Sequence, residues 1–360
     1  MPLLPELATP CLLVDVDRLD ANIATMAELA RRLGVALRPH AKTHKSVEIA
    51  RRQLAAGAHG LTVATVSEAE IFAGAGCDDL FIAYPLYATA ALGERLSRLA
   101  TRSRLAVGVD SAEGARALAT HLAPAARSVV RLLVEVDSGQ HRTGVLPEEA
   151  GPLADQVMHC GLQVAGAFTF PGHSYSPDVR GGAAVDEAAA LERAAASMRE
   201  CGTTPEVLSG GSTPSAADSR GEVLDELRPG VYVFGDAQQW ELGVTGPEDI
   251  ALSCLATVVS HAGGRLVLDS GSKALGADRA PWASGYGRLL DHPGARIVAI
   301  SEHHAVVEWP AHEPHPEIGD RVRVVPNHAC NAVNLADSLT AHQAGRIRER
   351  WPVSARGANT

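Results

Sequence analysis

Between about residue 35 and residue 235, short aliphatic runs alternate with longer stretches rich in Ala and Glu. Short apolar runs bounded by turn residues read as strands buried on both faces, and the stretches between them as amphipathic helices, the sequence form of parallel βα units. The predicted strands are Val35–His40, Gly60–Ala64, Asp79–Tyr84, Arg104–Asp110, Val129–Asp137, Leu162–Phe170, Glu206–Ser209 and Arg228–Phe234. Helical patterns fall between them, over Ser46–Ala56, Val66–Ala75, Thr89–Ala100 and Val185–Cys201 among others. Eight strands, with no GxGxxG after the first, predict an α/β fold of the (β/α)8 TIM type in preference to a doubly wound sheet.

From about residue 245 the helical period disappears. Leu252–His261, Arg265–Asp269, Arg296–Ser301, Ala305–Glu308 and Arg321–Val325 read as β-runs separated by Gly, Pro and His, which predicts a C-terminal all-β domain. Gly235–Glu248, with its glycines and proline, suits a boundary. The early run Cys11–Val16 has no place in the count of eight and is expected to pair with the β domain. The expected organisation is therefore an N-terminal strand segment over 1–22, a barrel over 23–240, a β domain over 241–350 and a frayed tail over 351–360.

Composition narrows the class. The 360 residues are 46% hydrophobic, 21% charged and only 4% aromatic, the balance of an aliphatic-cored folded protein. Lys and Arg number 32 against 42 Asp and Glu, for a net charge of −10, and the basic residues form no stripe, so nucleic acid is not an expected partner. The N-terminus MPLLPELATP lacks the basic and apolar regions of a secretory leader, and no stretch has the length and apolarity of a membrane span. The six cysteines are widely spaced without a CxxC pair, as reduced thiols would be. The expected compartment is the cytoplasm.

Chemistry in such a barrel is sought after the C-terminal ends of the strands. In LRPHAKTHK, Arg38, His40 and Lys42 fall two apart and, on an extended segment, point together towards the barrel mouth. A partly desolvated Lys42 favours its neutral amine and suits Schiff-base chemistry, with Lys45 as the competing lysine and a solvated loop position as the plainer alternative. In VLSGGSTPS, the N–H groups of Gly210, Gly211 and Ser212 and the hydroxyls of Ser212 and Thr213 would make an anion nest, placed after the seventh strand where barrels often hold phosphate; a simple Gly-Ser turn has the same composition. Arg142, after the strand ending in Asp137, suits a cofactor ring, a carboxylate, or an acid of the barrel rim. His328 and Cys330 in VPNHACNAVNL form half of an open tetrahedral site for which Zn²⁺ is the best match, or else an inert thiol beside a surface histidine.

Together these stretches resemble the fold type III pyridoxal-phosphate enzymes, and among them the D-threonine aldolase and D-serine dehydratase family with its alanine racemase-like barrel. TPCLLVDVDRLDANI, LRPHAKTHKS, TVSEAEIF, FIAYPL, DSGQHRTGV, LSGGSTPS, ELRPGVYVFGD, LDSGSKAL and VPNHACNAVNL stand in the family's order and span nearly the whole chain. The resemblance implies that Lys42 binds pyridoxal 5′-phosphate covalently. It places His40, Arg142, Tyr175, Ser209, Gly210, Gly211, Ser212, Thr213 and Tyr232 around the cofactor, and His173 against the substrate as a catalytic residue. It makes His328 and Cys330 the ligands of a divalent metal, Zn²⁺ or Mn²⁺. The implied function is a lyase acting on D-β-hydroxy-α-amino acids, read first as D-threonine aldolase and alternatively as a deaminating dehydratase of D-serine or D-threo-3-hydroxyaspartate. A homodimer is implied. A metal-free racemase is disfavoured by His328 and Cys330, and a non-catalytic single-barrel carrier by the β domain.

Overall fold

The computed structural model describes residues 4–360. Its chain divides into two units, one made of Met26–Lys42, Gln53–Gly230 and Ala358–Thr360, the other of the N-terminal segment to Thr25 with Thr43–Arg52 and Val231–Gly357. Strand β1 (Cys11–Asp15) belongs to the second of these.

The first unit is a parallel barrel. Its strands are β2 (Ala36–Leu37), β3 (Leu61–Val63), β4 (Asp79–Pro85), β5 (Arg104–Val109), β6 (Arg131–Glu135), β7 (Gln163–Phe168), β8 (Val207–Gly210) and β9 (Glu226–Leu227). They pair in parallel in the order β2-β9-β8-β7-β6-β5-β4-β3, and the bridge His40↔Thr62 closes the ring. Residues such as Leu80–Ile82 and Leu132–Val134 are buried without alternation, as strands covered on both faces must be. Three of the helices between them begin at hydroxyl caps. Thr65, Thr89 and Ser111 each accept from the N–H three residues on, at 3.1, 3.3 and 3.3 Å, satisfying a donor that the first helical turn leaves open.

Inside the barrel, Phe81, Leu133, Ala165 and Phe168 pack together, with the two phenylalanine rings edge to face at 5.0 Å. The Arg228 guanidinium lies over both rings, at 5.4 and 5.2 Å, and donates to Ser209 Oγ at 2.8 Å and to the Thr169 carbonyl. This corrects the expected eighth strand over Arg228–Phe234. The strand is the two residues of β9, because Arg228 turns into the barrel, Pro229 has no N–H for a ladder, and Val231–Val233 forms a 3-10 turn.

The second unit is antiparallel. Strands β10 (Leu252–Ser260), β11 (Leu266–Leu268), β12 (Gly287–Leu289), β13 (Arg296–Ile300), β14 (Ala305–Glu308) and β15 (Arg321–Pro326) close a six-stranded barrel in the order β10-β11-β14-β13-β12-β15, with β15 returning to β10. Strand β1 runs antiparallel to β10 and parallel to β16 (Ser338–Gln343), which carries β17 (Arg346–Pro352) at the edge.

The tail is not frayed. Trp351, Val353 and Ala355 are buried, Ala355 N donates to the Lys45 carbonyl at 2.9 Å, and the Arg52 guanidinium stacks 5.0 Å from the Trp351 ring. The same contacts tie Thr43–Arg52 to this unit, an exchange the expected boundaries did not contain. In the barrel unit, Ser67 N donates to the Thr360 carbonyl at 2.8 Å. The six cysteines are unbridged. Among the described residues no helix is long and apolar enough to cross a membrane.

Candidate active site

In the barrel unit, most of the residues singled out by sequence follow the C-terminal ends of the strands, while the side chains of Arg38 and Ser209 turn into the barrel interior. Lys42 is half-buried on a 3-10 turn, Ala41–Thr43, that follows β2, and its N–H donates to His40 Nδ1 at 3.4 Å. The turn breaks the extended geometry assumed for Arg38, His40 and Lys42. Arg38 lies instead inside the barrel, buried, with Nε on Glu226 and Nη1 on Asp79, both at 2.5 Å. Lys45 is engaged elsewhere, its Nζ 3.3 Å from the Ala355 carbonyl in the other unit's own fold.

Phe170, just past β7, is the plate on which the site is built, a role the sequence reading did not give it. Its ring has Lys42 Nζ at 5.8 Å, the Arg142 guanidinium at 5.2 Å and the Tyr175 ring at 6.1 Å. Arg142 is half-exposed and stands 3.9 Å from the buried carboxylate of Glu135, whose pKa burial raises against the pull of Thr143 and Arg142. Asp137 orders the loop between them: it accepts from Gly139 N at 2.8 Å and His141 N at 3.0 Å. Burial opposes its ionisation, but these bonds and His141 hold its pKa below the usual value.

His173 sits on the turn Gly172–Tyr175 with its ring against Gly139, where an added Cβ would meet it at 3.2 Å. Its Nε2 is 3.3 Å from Asp186 Oδ2, while Nδ1 is buried and has no hydrogen-bond partner. Asp186 was not anticipated, since nothing in sequence pairs it with a histidine thirteen residues earlier.

The turn after β8 differs from an open nest. Gly211 has φ +84°, which favours glycine, and its N–H already donates to Glu187 Oε1 at 2.6 Å. Ser212 N is 3.2 Å from Ser215 Oγ, and the hydroxyls of Ser174, Ser212 and Ser215 form a buried chain at 2.8 Å steps. Thr213 is buried beside them. Ser209 points the other way, donating to Glu226 Oε1 at 2.7 Å and accepting from Arg228, so its side chain is part of the barrel interior. Glu187 is fully buried and its pKa is pushed up to about 7 by that burial, against the Gly211 bond and Arg228.

A cavity of about 810 Å³ lies at the opposite end of the barrel. Its charged walls are paired, Arg38 with Asp79 and Glu226, Arg104 with Asp79 at 3.0 Å, and Arg131 with Glu206 at 2.6 Å. Except for Arg38, which follows β2, these residues lie at the N-terminal ends of strands, where barrels carry stability and not chemistry.

The second unit carries Tyr232, buried in its 3-10 turn, and the pair His328 and Cys330 at the start of the helix Ala329–Leu335. His328 Nδ1 is 2.5 Å from Asp278 Oδ2, and Cys330 Sγ is 3.3 Å from Thr43 Oγ1. Burial alone would lower the His328 pKa, but Cys330 and Asp278 outweigh it and raise it to about 11. Asp236, fully buried, accepts from Gln239 N at 2.9 Å and Ala329 N at 3.1 Å, pinning the start of that helix; burial raises its pKa to about 6. Among the described residues no third His, Cys, Asp or Glu completes a metal-holding group with the pair. An imidazole oriented by a carboxylate beside a thiol fits a soft divalent ion with open positions.

Residues 14–238 match the family described as alanine racemase, N-terminal domain, and residues 251–342 the putative serine dehydratase domain. The chain is 36% identical over 352 residues to a D-threo-3-hydroxyaspartate dehydratase of Delftia sp. (strain HT23), covering 90% of this chain and 91% of that protein. It is 35% identical to a D-threonine aldolase of Arthrobacter sp., covering 98% of this chain and 94% of the relative. This chain belongs to the D-threonine aldolase and D-serine dehydratase family. Solved members of the family share its fold throughout. The D-threonine aldolase from Filomicrobium marinum superposes with a TM-score of 0.90 at 33% identity, covering 99% of this chain and 98% of that one. A D-threo-3-hydroxyaspartate dehydratase in which a cysteine is replaced by alanine, described as metal-free, superposes at 0.87 with 32% identity, covering 98% of both chains.

Proposed function

We propose that this chain is a pyridoxal-phosphate- and divalent-metal-dependent lyase of D-β-hydroxy-α-amino acids that cleaves the Cα–Cβ bond, a D-threonine aldolase. The observation that carries the cleavage reading is His173, whose Nε2 is tied to Asp186 and whose buried Nδ1 has no partner. That is a base separate from Lys42. An aldol cleavage needs a group to take the β-hydroxyl proton, and an imidazole held in one tautomer by a carboxylate supplies it.

The residues of the barrel unit fit the cofactor. Lys42 offers an amine beside an aromatic plate, Arg142 adds a second cation over the same ring, and the buried hydroxyls of Ser212 and Thr213 suit a phosphate. Pyridoxal phosphate, when bound, supplies the electron sink that lets charge develop at Cα. A metal held by His328 and Cys330 would supply Lewis acidity. Lys42 would hold the cofactor by its aldehyde carbon, and Arg142 and Phe170 would orient and shelter its ring. His173 Nδ1 takes the β-hydroxyl proton as the Cα–Cβ bond breaks and the aldehyde product leaves, and return of a proton to Cα gives glycine.

A second reading rests on Cys330. A dehydratase of the same fold, altered at one cysteine, is described as metal-free, and Cys330 two residues from His328 offers such a ligand here. Under that reading Lys42 takes the Cα proton and the products are a 2-oxo acid and ammonia. Replacement of His173 separates the two. His173→Asn lowers kcat for aldol cleavage by roughly 10² to 10⁴ with cofactor absorbance unchanged. Unaltered cleavage kinetics in that variant would remove His173 as the base.

A further inference from the structure

One buried carboxyl is left over by the proposed reaction. Glu187 lies on the helix Ala183–Glu200, is 0% exposed, and presses its carboxyl against the turn after β8. Oε1 accepts from Gly211 N at 2.6 Å, and a Cβ at Gly210 would stand 2.4 Å from that oxygen. The other oxygen, Oε2, is buried with no hydrogen-bond partner. This carboxyl therefore occupies one of the N–H donors that an anion at the turn would use, and keeps a second polar atom unspent beside it.

We propose that Glu187 is part of the anion site at the end of β8, and that the cofactor's phosphate binds there together with a proton on Glu187. The inference rests on the cofactor reading above. A phosphate dianion beside an ionised carboxylate in a dry site is repelled by it, whereas a protonated carboxyl can donate a hydrogen bond to a phosphate oxygen. The unpartnered Oε2 is the atom placed to carry that proton.

The surroundings leave little else to answer the charge. Arg228, on the barrel side, is the cation that acts on Glu187, and it also serves Glu226 and Glu135 on β9 and β6. His173, in the turn packed on the same helix, is engaged by Asp186, and Glu148 in the turn Pro147–Glu149 by Arg193 at 3.4 Å. In the free protein burial already holds the Glu187 pKa near 7, and a bound phosphate moves it further up. Binding then takes up a proton above that pH, and affinity falls as pH rises.

The test compares pyridoxal phosphate with pyridoxal, which lacks the phosphate but reacts with the same lysine. The apoprotein is titrated with each from about pH 6 to about pH 9, for the native chain and Glu187→Gln, following cofactor absorbance. In the native chain the affinity ratio of the phosphorylated to the plain aldehyde falls by roughly tenfold per pH unit above neutrality, and in the variant it is flat. Parallel ratios in the two proteins overturn the proposal. A second measurement needs no variant. In weakly buffered native protein at about pH 7.5, pyridoxal phosphate takes up close to one more proton per site than pyridoxal, and equal uptake overturns the proposal. If neither aldehyde binds the native chain at any pH, it is the cofactor reading that falls, and this one with it.

Discussion

Lys42 and Lys45 stand three apart in one motif, and their surroundings give them different work. Lys45 spends its amine on a backbone carbonyl, while Lys42 holds its own over an aromatic ring. Lys42→Ala is therefore expected to abolish the visible absorbance that pyridoxal phosphate gives on binding the native chain, and an unchanged spectrum would reassign the lysine. Glu187 carries a stability prediction as well. Its folded pKa of about 7 lies above the ordinary carboxyl value, so the folded state binds more protons between about pH 4.5 and 7 and stability falls as pH rises through that window, by roughly 3 kcal/mol in all. Thermal unfolding of the apoprotein across this range should show the decline, and Glu187→Gln should flatten it. The lysine, the arginine and the glycine turn were legible in sequence because each follows a strand end. Phe170, Asp186 and Glu187 were not, because an aromatic plate or a carboxyl acquires its role only from the partner that folding delivers.

The turn after β8 shows how an element imposes its requirements on residues. Gly210→Ala places a methyl 2.4 Å from Glu187 Oε1, with Leu224 also at 3.2 Å. It is expected to cost about 1–3 kcal/mol by overpacking and to weaken cofactor affinity, read by denaturant unfolding and absorbance titration. The parallel strands were legible because a strand covered on both faces is a plain apolar run. β9 was displaced in the reading because two residues are too short to show a pattern, and the apolar run after Arg228 is a turn. β17 was missed for the opposite reason: RIRERWP is an edge strand with only Trp351 buried, so its charged residues hide the period. Arg38 failed as a mouth residue on geometry, since a 3-10 turn separates Lys42 from the direction of Arg38.

For the whole molecule, the C-terminal ten residues are structural. Ending the chain after Arg350 removes Trp351, Val353 and Ala355 from their buried positions and is expected to cost at least about 3–5 kcal/mol, the range for losing one large aromatic from a core. A truncated protein melting with the native one would show the tail to be dispensable. The resemblance to the family leads us to propose a homodimer as well. Light scattering at micromolar concentration should report twice the chain mass, and a fully active monomer would remove that proposal. The central claim is the bond that breaks. Purified protein is mixed with pyridoxal phosphate, a divalent metal and D-threonine, and the products are separated and identified. The account predicts glycine and acetaldehyde in equal amounts, lost on chelation of the metal; a 2-oxo acid and ammonia in their place would contradict it and assign the chain to the dehydratases.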